Sequence, residues 1–229
     1  MTQTWYDLLF AHWPVPVALL RALVPPTLAI DTFDGEAWLG IIPFHMTVRL
    51  RGLPAVPGLS AFPELNVRTY VTVEGKPGVF FFSLDAGNRL IVAIARQWYR
   101  LPYFRARMTV DGAGDAVRYA SRRIHQDAPP AEFAAQYRPV GDVFRAPTGS
   151  LAHWLTERYC LYTPGSRGRL RRGEIHHEPW PLQPAAARLD RNTMTLGHDI
   201  PLPATAPLLH FARRLRVIFW PLETLPLLP

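Results

Sequence analysis

The sequence predicts a mainly β protein, an antiparallel barrel or sandwich with a few short helices. Three observations lead there. Apolar stretches are short and separated by turn chemistry, to which 15 glycines and 24 prolines contribute. The stretch Leu65 to Val73 alternates with the period of a strand. Few segments carry the 3.6-residue spacing of a helix. At 229 residues, 48% hydrophobic and 19% charged, the chain can bury a sizeable core. A single domain spanning 1–229 is the simplest organisation, because all-β barrels reach this length undivided.

Taken in order, Trp5 to Val24 reads as an amphipathic helix with a break near Trp13-Pro14, stopped by Pro25-Pro26. Thr27 to Phe33 is a short strand, and Asp34-Gly35 turns the chain into a longer one, Glu36 to Leu50. Both faces of that strand are apolar, so both are expected to be covered, and Pro43 suggests a bulge or an edge. Arg51 to Pro63 is a proline- and glycine-rich loop, a candidate lid or rim. In the next strand Leu65, Val67, Thr69, Val71 and Val73 share one face. Glu64, Asn66, Arg68, Tyr70 and Thr72 share the other. A turn over Glu74 to Gly78 leads to an aromatic strand, Val79 to Leu84. Asn88 caps a helix running to Trp98 and ended by Leu101-Pro102. Phe104 to Val110 and Ala116 to Ile124 form a hairpin over a tip at Asp111 to Gly114. Gln126 to Pro147 is ambiguous. Ser150 caps a helix over Leu151 to Glu157, after which Arg158 to Thr163 and Arg169 to His177 pair as a hairpin. From Trp180 the tail holds short apolar pieces punctuated by proline.

The formal net charge is +7, and of 25 basic residues only Lys76 is a lysine. Arginine stays charged and grips planar anions in a fork, so an anionic ligand is one reading. The arginines are dispersed and not blocked, which fits solvated charges and argues against nucleic acid as a partner. One cysteine, Cys160, excludes an internal disulfide and a cysteine-based metal site. In its strand-like run it reads as a buried, inert thiol. No signal-peptide order is present, and no apolar run approaches the ~18 residues of a membrane span. The expectation is a soluble, cytoplasmic protein with no membrane contact, homo-oligomerisation being left open.

No metal-ligand spacing stands out, and no cofactor is expected. His176 and His177 are adjacent, so on a strand they point to opposite faces and one of them faces inward. No glycine-rich phosphate loop and no nucleophile elbow occur. The polar strand face is the better candidate. Glu64, Asn66 and Arg68 at period two would line a cavity inside a barrel, either as a structural ion pair or as a site that fixes an anion beside a proton-transfer group.

Six stretches carry a resemblance: DxFDGxAWxGxxPF (Asp31 to Phe44), ELNVRTYV (Glu64 to Val71), GVFFFSLDA (Gly78 to Ala86), ARxxYxLPYFxAxM (Ala95 to Met108), LTERYCLY (Leu155 to Tyr162) and EIHHEPWPLQ (Glu174 to Gln183). Nearly end to end, the chain resembles the YqjF-like family of the acetoacetate decarboxylase-like superfamily. The fold this implies is an antiparallel β-barrel with a central cavity and a few short helices. The superfamily's decarboxylases carry a segment like GRExxGxPKK, in which one lysine forms a Schiff base and the other lowers its pKa. Against it, Ala95 and Arg96 replace Gly-Arg, Gln97 replaces the glutamate, and Pro102 matches the proline. Tyr103 and Phe104 stand where the lysines would be. The resemblance therefore implies a protein that is not an acetoacetate decarboxylase, and places Glu64 near the superfamily's cavity glutamate.

The functional expectation is a cavity that binds a small organic ligand, anionic or carbonyl-containing. Glu64 would move protons and Tyr103 would donate a hydrogen bond or proton, while Asn66, Arg68, Arg96 and His176 or His177 would hold the ligand. The alternative is a non-catalytic ligand sensor or protein-interaction module on the same fold.

Overall fold

A computed structural model describes residues 1–49 and 60–226. Thirteen strands join in one hydrogen-bonded sheet. They are β1 (Thr2–Val15), β2 (Ala29–Ile30), β3 (Ala37–Arg49), β4 (Ala61–Val73), β5 (Lys76–Ala86), β6 (Tyr103–Ala113) and β7 (Ala116–Arg123). Then follow β8 (Glu132–Pro139), β9 (Cys160–Pro164), β10 (Leu170–His177), β11 (Gln183–Asn192), β12 (Leu208–Phe219) and β13 (Glu223–Thr224). Among the described residues three short α-helices punctuate them, α1 (Val17–Arg21), α2 (Arg89–Ile94), which continues into a π-helical turn Ala95–Tyr99, and α3 (Leu151–Thr156), with a 3-10 turn at Leu196–His198. The mainly β expectation holds.

The pairings close on themselves by two routes. One ring runs β1-β3-β4-β5-β6-β7-β8-β11-β12 and back to β1. A shorter route leaves β5 for β9 and β10 and rejoins β12. The strands β12, β1, β3, β4 and β5 belong to both. One face of this common sheet buries Leu9, Ala11, Leu39, Ile41, Leu65 and Val67 with Tyr119, Phe133 and Tyr137 of β7 and β8. The opposite face buries Leu8, Phe10, Ile42, Phe44 and Phe62 with Trp180 and Leu182. Strands covered on both faces lose the clean alternation of a half-buried strand.

That loss explains the main correction. Trp5–Val15 is not helical: it belongs to β1, paired with β12 and β3 along its length. Leu8, Leu9, Phe10 and Ala11 are all essentially solvent-free, and a continuous apolar run does not distinguish a two-sided strand from a buried helix. Only Val17–Arg21 is helical; Arg21 then donates to the Pro25 and Leu28 carbonyls and fixes the chain that follows. The bulge expected at Pro43 falls on the neighbouring strand. Pro43 pairs with Leu65, while β1 takes five steps from Tyr6 to Ala11 against four in β3 from His45 to Ile41. Asp7 absorbs the extra residue at φ 53°.

Other boundaries also shift. The strand expected over Thr27–Phe33 shrinks to Ala29–Ile30, and the turn of the β6–β7 hairpin is Gly114-Asp115, one step beyond the expected tip. The proline-rich segment after Gln126 contains β8, and the tail contains the long strands β11 and β12. Asn88 and Ser150 cap their helices as expected, through Leu90 and Ile91 amides and the His153 amide respectively. Of the candidate lid Arg51 to Pro63, residues 51–59 lie outside the described residues, and Ala61 to Pro63 belong to β4. No described helix is long and apolar enough to cross a membrane.

Candidate functional site

Period-two geometry puts Glu64, Asn66, Arg68 and Tyr70 on one face of β4, as the alternation demands. Glu64 is buried at 4% exposure. The Tyr103 hydroxyl, from the first residue of β6, donates to Glu64 Oε2 at 2.8 Å. Burial pushes the Glu64 carboxyl up to about 7, against the smaller opposing effect of the Tyr103 hydrogen bond. The same burial, and the Glu64 charge, hold the Tyr103 phenol well above its ordinary range. From the opposite face, Tyr119 donates to the Glu64 carbonyl at 2.8 Å and so fixes the strand beneath the carboxylate. A carboxylic acid poised near neutrality beside a phenol can exchange a proton at physiological pH.

Arg68 does not pair with Glu64. Four residues along a strand separate their Cα atoms by roughly 13 Å. Arg68 Nη2 donates to the Leu155 carbonyl at 3.3 Å, and its guanidinium lies 5.8 Å from the Phe10 ring and 5.7 Å from the Tyr70 ring. Around it the structure assembles residues that sequence reasoning did not nominate. Tyr70 Oη and His12 Nε2 are 2.6 Å apart. Burial first, then the Arg68 charge, keeps His12 well below the usual histidine range and hence neutral. Gly40 makes room for it, since a Cβ there would meet the imidazole at 3.0 Å. Arg158 packs over Tyr70 at 5.0 Å and pairs with Asp31 at 2.6 Å. Tyr70 was visible on the polar strand face; His12, Asp31 and Arg158 lie on other elements, and their convergence is a property of the ring.

Several buried atoms in this neighbourhood have no partner among the described residues: Arg68 Nε, Arg158 Nη2, His12 Nδ1, Asn66 Oδ1, His177 Nε2 and Trp180 Nε1. The large majority of buried side-chain polar atoms are paired, so such a concentration suits a polar guest. The arginine and indole nitrogens can only donate, which favours an acceptor-rich or anionic guest.

The remaining expected residues divide. His177 is the inward histidine at 3% exposure, stacked on Tyr159 with centroids 4.6 Å apart and bonded through Nδ1 to the Glu178 carbonyl. His176 is exposed and points the other way. Arg96 is exposed; its Nη1 donates to the Tyr103 carbonyl at 2.8 Å, so it braces the backbone that carries the phenol and does not reach Glu64. Lys76 opens β5, and its ammonium pairs with Glu174. Cys160 is buried as expected, its thiol donating to the Pro77 carbonyl at 3.2 Å. Two surface clefts, of about 140 and 310 Å³, include neither Glu64 nor Arg68.

The fold is one already seen in solved proteins. It superposes on an acetoacetate decarboxylase with a TM-score of 0.63, covering 98% of this chain and 89% of the other at 14% identity. On the enduracididine biosynthesis enzyme MppR, solved as a complex with pyruvate, the TM-score is 0.66, covering 97% and 89% at 11% identity. These likenesses concern the fold. The chain belongs to the DUF2071 family, described as an uncharacterized conserved protein, whose model matches residues 2–216. It is 53% identical over 224 residues to the uncharacterized protein YqjF of Bacillus subtilis strain 168, covering 97% of this chain and 91% of that relative.

Proposed function

We propose that the chain binds a small organic ligand, anionic or carbonyl-containing, in the interior between β4 and Trp180, and that Glu64 exchanges a proton with it. The observation that carries this reading is the buried Tyr103–Glu64 pair, with the carboxyl pushed up to about 7. Arg68 supports it by supplying a cation with no carboxylate partner among the described residues. Schiff-base decarboxylation does not enter the proposal. The only lysine, Lys76, is ion-paired to Glu174 of β10 at the opposite end of β5 from Ala86, the residue that faces Glu64, and by resemblance Tyr103 and Phe104 occupy the positions of the two lysines.

Thermal-shift screening against carboxylic acids, ketones and quinones tests the proposal. A ligand present at about 100 times its Kd stabilises the fold by about 2.7 kcal/mol, which is roughly 5–10 °C for a chain of this size. The gain should fall sharply in Arg68→Gln for anionic ligands, and should change its pH dependence in Glu64→Gln. A ligand whose effect is the same in both variants binds elsewhere and contradicts the reading. Binding without turnover is the second reading, favoured by the enclosure of Glu64 away from both open clefts. Product analysis with a confirmed ligand separates the two.

A further inference from the structure

Away from Glu64, the aromatic run of β5 is the floor of the larger of the two clefts, and Phe81 also packs in the cluster that holds Tyr70 and Leu155. Strand β5 pairs in parallel with two partners on one edge. Val79 and Phe80 lie against Leu161 and Tyr162 of β9, whereas Leu84 to Ala86 lie against Tyr103 to Arg105 of β6. Between them the edge of β5 is open, and the chain bulges there: Val67 is opposite Ser83, but Arg68 is opposite Phe81. The two arms of the fork are tied at the mouth by the Thr163 hydroxyl, which donates to the Arg100 carbonyl at 3.2 Å. Arg100 itself sits at φ 54° as the residue that caps the π-helical turn Ala95–Tyr99.

The resulting cleft has a volume of about 310 Å³, within the low end of the range for small-molecule sites. Phe80, Phe81 and Phe82 line it with Leu101. Phe80 and Phe81 are only half-buried, so apolar ring surface faces solvent. Of the polar residues that join them, Tyr162 and Thr163 have hydroxyls already bonded to the Lys76 and Arg100 carbonyls, which leaves Arg100 and His198. Arg100 is exposed and makes no ion pair with a described residue. His198 has a buried Nε2 with no partner among the described residues, and its ring lies 5.6 Å from Phe82. An apolar floor, one permanent cation at the rim and one imidazole nitrogen without a partner match a ring carrying a single negative charge. One cation and this volume do not suit a nucleotide or a polyanion.

We infer that the fork between β6 and β9 is a second binding site, for a small aromatic monocarboxylate, separate from the Glu64 interior. The test uses 2-naphthoate and its neutral amide as probes, with isothermal titration on the full chain. The carboxylate should bind saturably and at least about tenfold more tightly than the amide, as expected when a charge-assisted contact is lost. Arg100→Gln should remove that preference. Leu23→Asp, at the exposed rim of the same cleft, should weaken the carboxylate about tenfold and leave the amide unchanged. Glu64→Gln should leave both unaffected. Equal binding of acid and amide, an unchanged preference in Arg100→Gln, loss of binding in Glu64→Gln, or no saturable binding up to millimolar probe would each overturn the inference. Arg100 and Leu23 are surface positions, so loss of fold does not confuse the result, and unchanged far-UV circular dichroism verifies this.

Discussion

Asp85 and Glu64 are near neighbours across the β4–β5 ladder, where Leu65 faces Asp85 and Glu64 faces Ala86. Their side chains enter opposite compartments and meet opposite fates. Asp85, fully buried, is bound by Arg123 through Nε at 3.1 Å to both oxygens and through Nη2 at 2.6 Å. Arg123 is buried too, and its guanidinium stacks on Phe104 at 4.1 Å. Among the described residues Glu64 meets no cation, only a phenol, and on its side of the sheet the arginine Arg68 meets no anion. One compartment has its main charges neutralised, with the Ser83 and Ser121 hydroxyls left over. The other holds a carboxyl and a guanidinium apart, at a standing energetic cost. A fold keeps such an arrangement where something else completes it.

The comparison predicts the largest effect on the paired side. Arg123→Leu strands a buried carboxylate and should cost about 3–5 kcal/mol in urea unfolding, whereas the double variant with Asp85→Leu should recover most of it. A single-variant cost below about 1 kcal/mol would remove the distinction between the compartments.

The next effect concerns pH. The folded carboxyl of Glu64 titrates at about 7 against 4.5 when unexposed to the fold. Its contribution is most favourable below pH 4.5, where both states are protonated. As pH rises, the unfolded chain releases its proton first, so stability is lost up to about pH 7, by about 3 kcal/mol. Unfolding midpoints of wild type and Glu64→Gln should therefore diverge across that window, the variant becoming relatively more stable. Parallel curves would place the carboxyl in an ordinary environment.

The smallest effect is expected at Arg68. Its hydrogen bond to the Leu155 carbonyl is long and its other contacts are with the Phe10 and Tyr70 side chains, so Arg68→Gln should change the stability of the free protein by no more than about 1 kcal/mol. A loss above about 3 kcal/mol would make Arg68 a structural residue of the core.

How much of this was legible in the sequence follows from which contacts are local. The alternation of Leu65–Val73 located Glu64, Asn66 and Arg68 on one face, because strand geometry alone fixes it. Asn88 and Ser150 announced their helices because a cap is a three-residue event. Strand β1 was misread because burial on both faces erases the period that marks a strand. Strand β11 alternates in the structure, but its alanines and arginines carry little strand propensity. The partners His12 and Arg158 come together with Arg68 only through pairings such as His12 with Gly40 and Gly40 with Arg68, which no local pattern encodes. Glu64 and Tyr103 were nominated together through the resemblance, and the structure joins them at 2.8 Å.

The central claim is that Glu64 is a carboxylic acid poised near neutrality. Carboxyl-selective carbon NMR of the ¹³C-labelled protein, assigned with Glu64→Gln and followed from pH 3 to 9, reads its titration directly. The account predicts a midpoint near 7, moving higher in Tyr103→Phe as the hydrogen bond that favours the anion is lost. A midpoint near 4.5, unchanged by Tyr103→Phe, would contradict it.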